Sequence, residues 1–227
     1  MRPFAQRFVR RLPHGIVALV VTLTGCGMGT PDPASDNVRT KAAAAAETLA
    51  GFTAGLKSGE TVLAEFRADY CLEGIHNWKR DDSYDWDCTV THNLALEVGQ
   101  LRAGATMLHE HLLAAGCSPD TSDNTSRHGL PVMLDNYDQP NKPAHRYPDV
   151  RYVCGNDITL HVKPSDRTDE RLGKRLVRPE GWGHYATGSA SNRLMSGGEI
   201  TPEDVARLTS AEGALMLLSA RLRYHRA

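Results

Sequence analysis

The thirteen residues WDCTVTHNLALEV, Trp86 to Val98, constrain the fold more than any other stretch of the chain. Trp86, Cys88, Val90, His92, Leu94, Leu96 and Val98 alternate with Asp87, Thr89, Thr91, Asn93 and Glu97. A period of two places one set on each face of a β-strand, so this run predicts a long strand in a sheet buried on one side. A shorter alternation precedes it, with Phe66, Ala68 and Tyr70 set against Glu65, Arg67 and Asp69. The two runs read as neighbouring strands, and by parity Cys71 falls on the polar face while Cys88 falls on the apolar one. A disulfide between them would then require a bulge or a strand end.

The flanking segments read as helices. From Ser35 or Asp36 as cap, Val38, Ala42, Ala45, Leu49, Phe52 and Leu56 recur at spacings of three and four, the stripe of a helix packed on the protein's own sheet. A second helix is predicted from Gln100 to Ala115, with Leu101, Ala105, Leu108, Leu112 and Ala115 on one side and Gly116 as its stop. A short strand is expected at LPVML, and a hairpin in VRYVCGNDITLHV with its turn at Gly155, Asn156 and Asp157. Residues 164–200 carry no sustained period. A last helix begins at Thr201 with Pro202 in its first turn, and Val205, Leu208, Ala211, Leu215, Leu218 and Leu222 supply its stripe. The element order is helix, two strands, helix, strands, helix. It predicts an α+β fold, a mostly antiparallel sheet with helices packed on one face, formed by a single domain over residues 36–227.

The N-terminus follows other rules. Arg2, Arg7, Arg10 and Arg11 precede an apolar run from Ile16 to Leu23 that is too short to span a bilayer. This is the layout of a secretory signal. The run ends at Leu23-Thr24-Gly25-Cys26, which resembles the lipobox of bacterial lipoproteins. That resemblance implies a signal peptide over residues 1–25, lipidation of Cys26, a flexible tether over residues 26–35, and a lipid bilayer as partner. It also implies a location at the cell membrane, facing outside the cytoplasm. Two acyl chains anchor stably where one binds only marginally. Removal of the four signal arginines from the 26 basic residues leaves 22 against 27 acidic ones, a formal net charge of −5. An acidic mature chain argues against nucleic acid as a partner.

Cysteine usage agrees with export. With Cys26 assigned to lipid, Cys71, Cys88, Cys117 and Cys154 remain, an even number in a compartment that permits disulfides. Three pairings exist. The favoured one joins Cys71 to Cys88 and Cys117 to Cys154, each closing a modest loop. No CxxC spacing occurs, and neither a metal nor a cofactor is expected.

Other motifs carry little chemistry. His109 and His111 in HEH are two apart, which turns them to opposite sides of a helix, whereas a zinc protease needs two histidines four apart on one face. Asp81, Ser83, Asp85 and Asp87 resemble the start of a calcium loop but lack its glycine and its closing glutamate. His92, on the apolar parity of its strand, reads as a hydrogen-bonded core residue. No GxSxG nucleophile motif occurs. In the Gly-rich stretch, Trp182, His184 and Tyr185 are the candidate ligand-binding residues, able to stack on a sugar ring, although anchoring that loop to the core is the plainer role. A clear anchor without a catalytic constellation suggests a non-catalytic binding or structural module of the cell envelope, with an envelope protein or small ligand as partner. An envelope hydrolase and a carrier of an apolar ligand are the alternatives.

Overall fold

The computed structural model describes residues 32–57, 60–137, 147–155, 157–165, 193–197 and 201–227. In chain order the elements are α1 (Asp36–Leu56), β1 (Thr61–Glu73), β2 (His76–Asn77), β3 (Arg80–Asp81) and β4 (Trp86–Val98). They continue with α2 (Leu101–Ala114), β5 (Ser118–Pro119), α3 (Gly129–Tyr137), β6 (Val150–Cys154) and β7 (Ile158–Ser165). The chain closes with β8 (Arg193–Gly197), α4 (Pro202–Ser210) and β9 (Ala214–Arg226). The fold is α+β. Seven strands form one sheet in the order β5-β6-β7-β9-β4-β1-β8, antiparallel at every pairing, and β2 and β3 form a small separate hairpin.

The long alternation forms β4, paired with β1 from Thr61 opposite Glu97 to Glu73 opposite Trp86. One face of the sheet is packed by α1, α2 and α3. Leu94, Leu96 and Val98 of β4, Leu160 and Val162 of β7, and Met216 and Leu218 of β9 meet Leu49, Leu56, Leu108, Leu112, Leu130 and Met133 there. Burying each such side chain stabilises the fold by about 1.5–3 kcal/mol. The stripe of α1 is the one its spacing predicts, with Val38, Ala45, Leu49 and Leu56 buried.

The C-terminal segment differs from the sequence reading. Thr201 does cap a helix, in a capping box with Asp204, and Pro202 opens its first turn. That helix, α4, stops at Ser210. The residues read as its second half form β9, the central strand between β7 and β4. The run Leu215, Met216, Leu217 and Leu218 is buried on both faces, as a central strand demands and as a one-sided helix would not be. Leu215 and Leu218, three apart, fall on opposite faces of β9, and they fit a helical stripe only because every residue from Leu215 to Leu218 is apolar. Glu97 seals the corner by accepting from the backbone N–H groups of Glu212 and Gly213, at 2.8 and 2.9 Å. The order therefore continues past the last helix with a strand. While α1, α2 and α3 share one face, α4 lies on the other, where Leu208 and Ala211 pack with Ala64, Ala95, Leu215 and Leu217.

LPVML also differs, forming the first part of α3 instead of a strand. Leu130, Met133 and Leu134 are buried at helical spacing, Val132 is exposed, and Pro131 sits in the first turn, where its missing N–H costs nothing. The turn before α3 requires Gly129 at φ +79°, where a Cβ would lie 2.5 Å from His109. Gly116, at φ +79°, ends α2 as its position predicts. Its N–H bonds to the carbonyl of Leu113 and that of Cys117 to Leu112, a Schellman closure.

Candidate functional site

The sheet carries a polar constellation on each face. On the helix-covered side, β1 contributes Glu65, Arg67 and Asp69, because Glu65 pairs with Leu94, Arg67 with His92 and Asp69 with Val90. His92 and Thr53 of α1 are each 1% exposed. The Thr53 hydroxyl lies 2.6 Å from His92 Nδ1, and His92 Nε2 lies 2.7 Å from Glu65 Oε1. Lys57 and Arg67 both bind the same carboxylate. Burial pushes the Glu65 carboxyl up, but hydrogen bonds from Lys57, Arg67 and His92 outweigh it and bring it down to about 2. Burial holds His92 below its ordinary value, against the pull of Glu65. His92 Nε2 also lies 3.3 Å from Arg67 Nε, and the Thr53 hydroxyl donates to the Leu49 carbonyl at 2.8 Å, so the ring sits within one continuous hydrogen-bonded chain. The line Thr53, His92, Glu65 has the order of a nucleophile, base and orienting acid. A small cavity of ≈ 230 Å³ between α1 and the sheet reaches His92, and the arrangement joins α1 to the sheet as the hydrogen-bonded core histidine that the alternation implied.

The opposite face changes character along its length. At one end lie the apolar contacts of α4. Further along, the register aligns Thr91 of β4 with Arg221 of β9 and Thr159 of β7, and the next row places Thr89 opposite Arg223. His161 faces Ser219 on one side and Arg151 of β6 on the other. These rows border a cleft of ≈ 690 Å³, closed by Tyr70 and Leu72 of β1, Asp87 of β4 and Asp157 at the β6–β7 turn. That volume lies within the range of small-molecule sites, roughly 300–1,000 Å³. Most of its cations are neutralised: Arg223 Nε is 2.9 Å from Asp87, and Arg151 pairs with Asp120. Burial pushes the Tyr70 phenol up, and the charge of Arg221 works against that shift.

The cysteines pair as favoured, Cys71 with Cys88 and Cys117 with Cys154. No bulge is needed between the first two, which stand directly opposite in the ladder. The apparent conflict of parity arose from assigning the apolar sides of β1 and β4 to one face. Phe66, Ala68 and Tyr70 instead point to the cleft side, and Cys71 shares the α1 face with Glu65, Arg67 and Asp69. Cys26, the signal segment, and the candidates Trp182, His184 and Tyr185 lie outside the described residues, as does Asn156.

His109 and His111 diverge. His109 Nδ1 lies 2.8 Å from the Tyr152 hydroxyl, while His111 is exposed. Tyr152 also accepts from the backbone N–H of Leu130, and burial pushes its phenol up to about 12. The acids of DDSYDWD are held by basic partners: Asp81 and Asp85 share His76, Asp82 binds Arg80, and Asp87 binds Arg223. Among the described residues no three His, Cys, Asp or Glu side chains converge to hold a metal ion.

The cleft residues of β9 are hidden when the segment through Leu222 is read as a helical stripe. The alternation of Ala220 and Leu222 with Arg221 and Arg223 was the available signal. Comparisons of the chain with protein-family models, curated proteins and solved structures return no match.

Proposed function

We propose that the protein is a lipid-anchored, exported module of the cell envelope that binds a small polar ligand without transforming it. The observation that carries the binding reading is the cleft on the sheet face opposite α1, to which five adjacent strands contribute side chains. A site assembled on strands is held more rigidly than one on loops. The anchor rests on the basic n-region, the short apolar run and Cys26. Two disulfides accord with an oxidising compartment. The Thr53–His92–Glu65 line ties α1 to the sheet, which supports a structural role for it.

The intact mass of protein extracted from membranes, compared with a Cys26→Ala control, tests the anchor. A chain beginning at Cys26 with added acyl mass, absent from the control, is the expected result. A chain retaining residues 1–25 would refute it. Binding is tested by the thermal response to a panel of small polar compounds, with Thr159→Val as a cleft variant. Ligand-dependent stabilisation lost in the variant supports the cleft, and turnover of any compound would argue for an enzyme instead.

A further inference from the structure

We infer that the ligand carries an oxyanion, a phosphate or carboxylate group, and that Arg221 is the residue that clasps it. This rests on the reading of the protein as a binding module and names the chemistry of its cleft. Arg221 stands in the middle of the polar face, between Thr91 and Thr159 in the register. The other cations of this face are already paired: Arg223 with Asp87, Arg151 with Asp120, and Lys163 with Asp149 at 3.0 Å. Among the described residues no carboxylate pairs with Arg221, and its Nε and Nη2 are buried without a hydrogen-bond partner.

Those two nitrogens form one edge of the guanidinium. Their N–H bonds run parallel, the fork that takes a carboxylate or phosphate through two hydrogen bonds at once. Buried donors on a charged group are costly to leave unsatisfied, and a native structure retains such a pair where something completes it. The acids bordering the cleft do not. Asp87 is engaged by Arg223, and Asp157 lies at the β6–β7 turn. One uncompensated positive charge and two parallel donors call for one oxyanion. The hydroxyls of Thr89, Thr159 and Tyr70 line the same cleft and can hold the remainder of a polar ligand. Because the fork is shut off from bulk solvent, the anion reaches it by a rotamer change of this long side chain and is held desolvated. A contact of that kind is stronger and more selective than a surface ion pair.

The test uses the full chain in detergent, titrated with inorganic phosphate at constant ionic strength and read by calorimetry and by the midpoint of thermal unfolding. Phosphate is expected to bind and to raise the midpoint. Arg221→Gln should abolish the response, and Arg221→Lys, which keeps the charge but lacks the fork, should weaken it by about tenfold or more. Arg39→Gln, at an exposed position of α1, should leave it unchanged. An equal phosphate response in Arg221→Gln or in Arg221→Lys would overturn the inference. If Arg221→Gln fails to fold, the lysine variant still decides. Sedimentation of the Cys26→Ala chain with phosphatidylglycerol vesicles separates the sources of the anion. Arg221-dependent sedimentation identifies a lipid headgroup, and phosphate binding without sedimentation identifies a soluble ligand; both support the clasp. A neutral compound that binds in the cleft regardless of Arg221 would overturn the anion while leaving the binding module standing. Failure of every compound, neutral or charged, would remove both.

Discussion

His92 is held from two sides, by the Thr53 hydroxyl of α1 and the Glu65 carboxylate of β1, and its environment ties stability to pH. Both ionisable members lie below their ordinary values when folded. Burial lowers His92, and hydrogen bonds from Lys57, Arg67 and His92 overcome burial to lower Glu65 to about 2. A group with a depressed folded pKa contributes stability above its unfolded value and loses it as pH falls toward the folded one. The loss should begin below 6.5, as the unfolded chain takes up the proton that His92 resists, and deepen between 4.5 and about 2 as Glu65 becomes protonated. For Glu65, partly open to water, the contribution is about 1–2 kcal/mol after solvent screening. Urea unfolding at stepped pH should show Glu65→Gln flattening the lower part of this profile and His92→Gln the upper. A wild-type profile in both variants would place the acid sensitivity elsewhere. The inward position of His92 was legible from its parity, but its partners were not, because Thr53 and Glu65 meet it only once α1 crosses the sheet.

At the scale of elements, the C-terminal segment shows how little local spacing decides when two periods coincide. Thr201, Pro202 and Asp204 mark the start of α4 in the sequence, and the capping box realises that signal. Where the helix ends is set by packing. Leu215 to Leu218 can all be buried only if both faces of the segment are covered, and the gap between β7 and β4 provides that cover. A chain ended after Glu212 would lose β9, the strand that joins the two halves of the sheet. Such a chain should lack a cooperative unfolding transition and the near-ultraviolet circular dichroism of a packed core. A truncated chain with the wild-type midpoint would contradict the central placement of β9. The same competition explains α3, whose five-residue apolar run was too short for periodicity to separate strand from helix.

Across the whole molecule, the disulfides act on different parts of the sheet. Cys71–Cys88 clasps β1 to β4 with a sequence separation of 17, and Cys117–Cys154 ties the end of α2 to β6 with a separation of 37. By loop entropy their removal costs about 3 and about 4 kcal/mol respectively. Paired Cys→Ser variants should therefore lower stability in that order in denaturant titrations, and a larger loss from the Cys71–Cys88 pair would show that strand pairing outweighs loop entropy. The sequence by itself determined the α+β class, the long strand at Trp86–Val98 and the first two helices, because periodicity and capping act within short stretches of chain. Only the tertiary structure decided the facing of β1 against β4, the central place of β9 and the meeting of Arg221, Thr159, His161 and Tyr70 around one cleft. These depend on which strands become neighbours, and residues as far apart in sequence as Tyr70 and Arg221 share a surface only after the sheet has set its order and register.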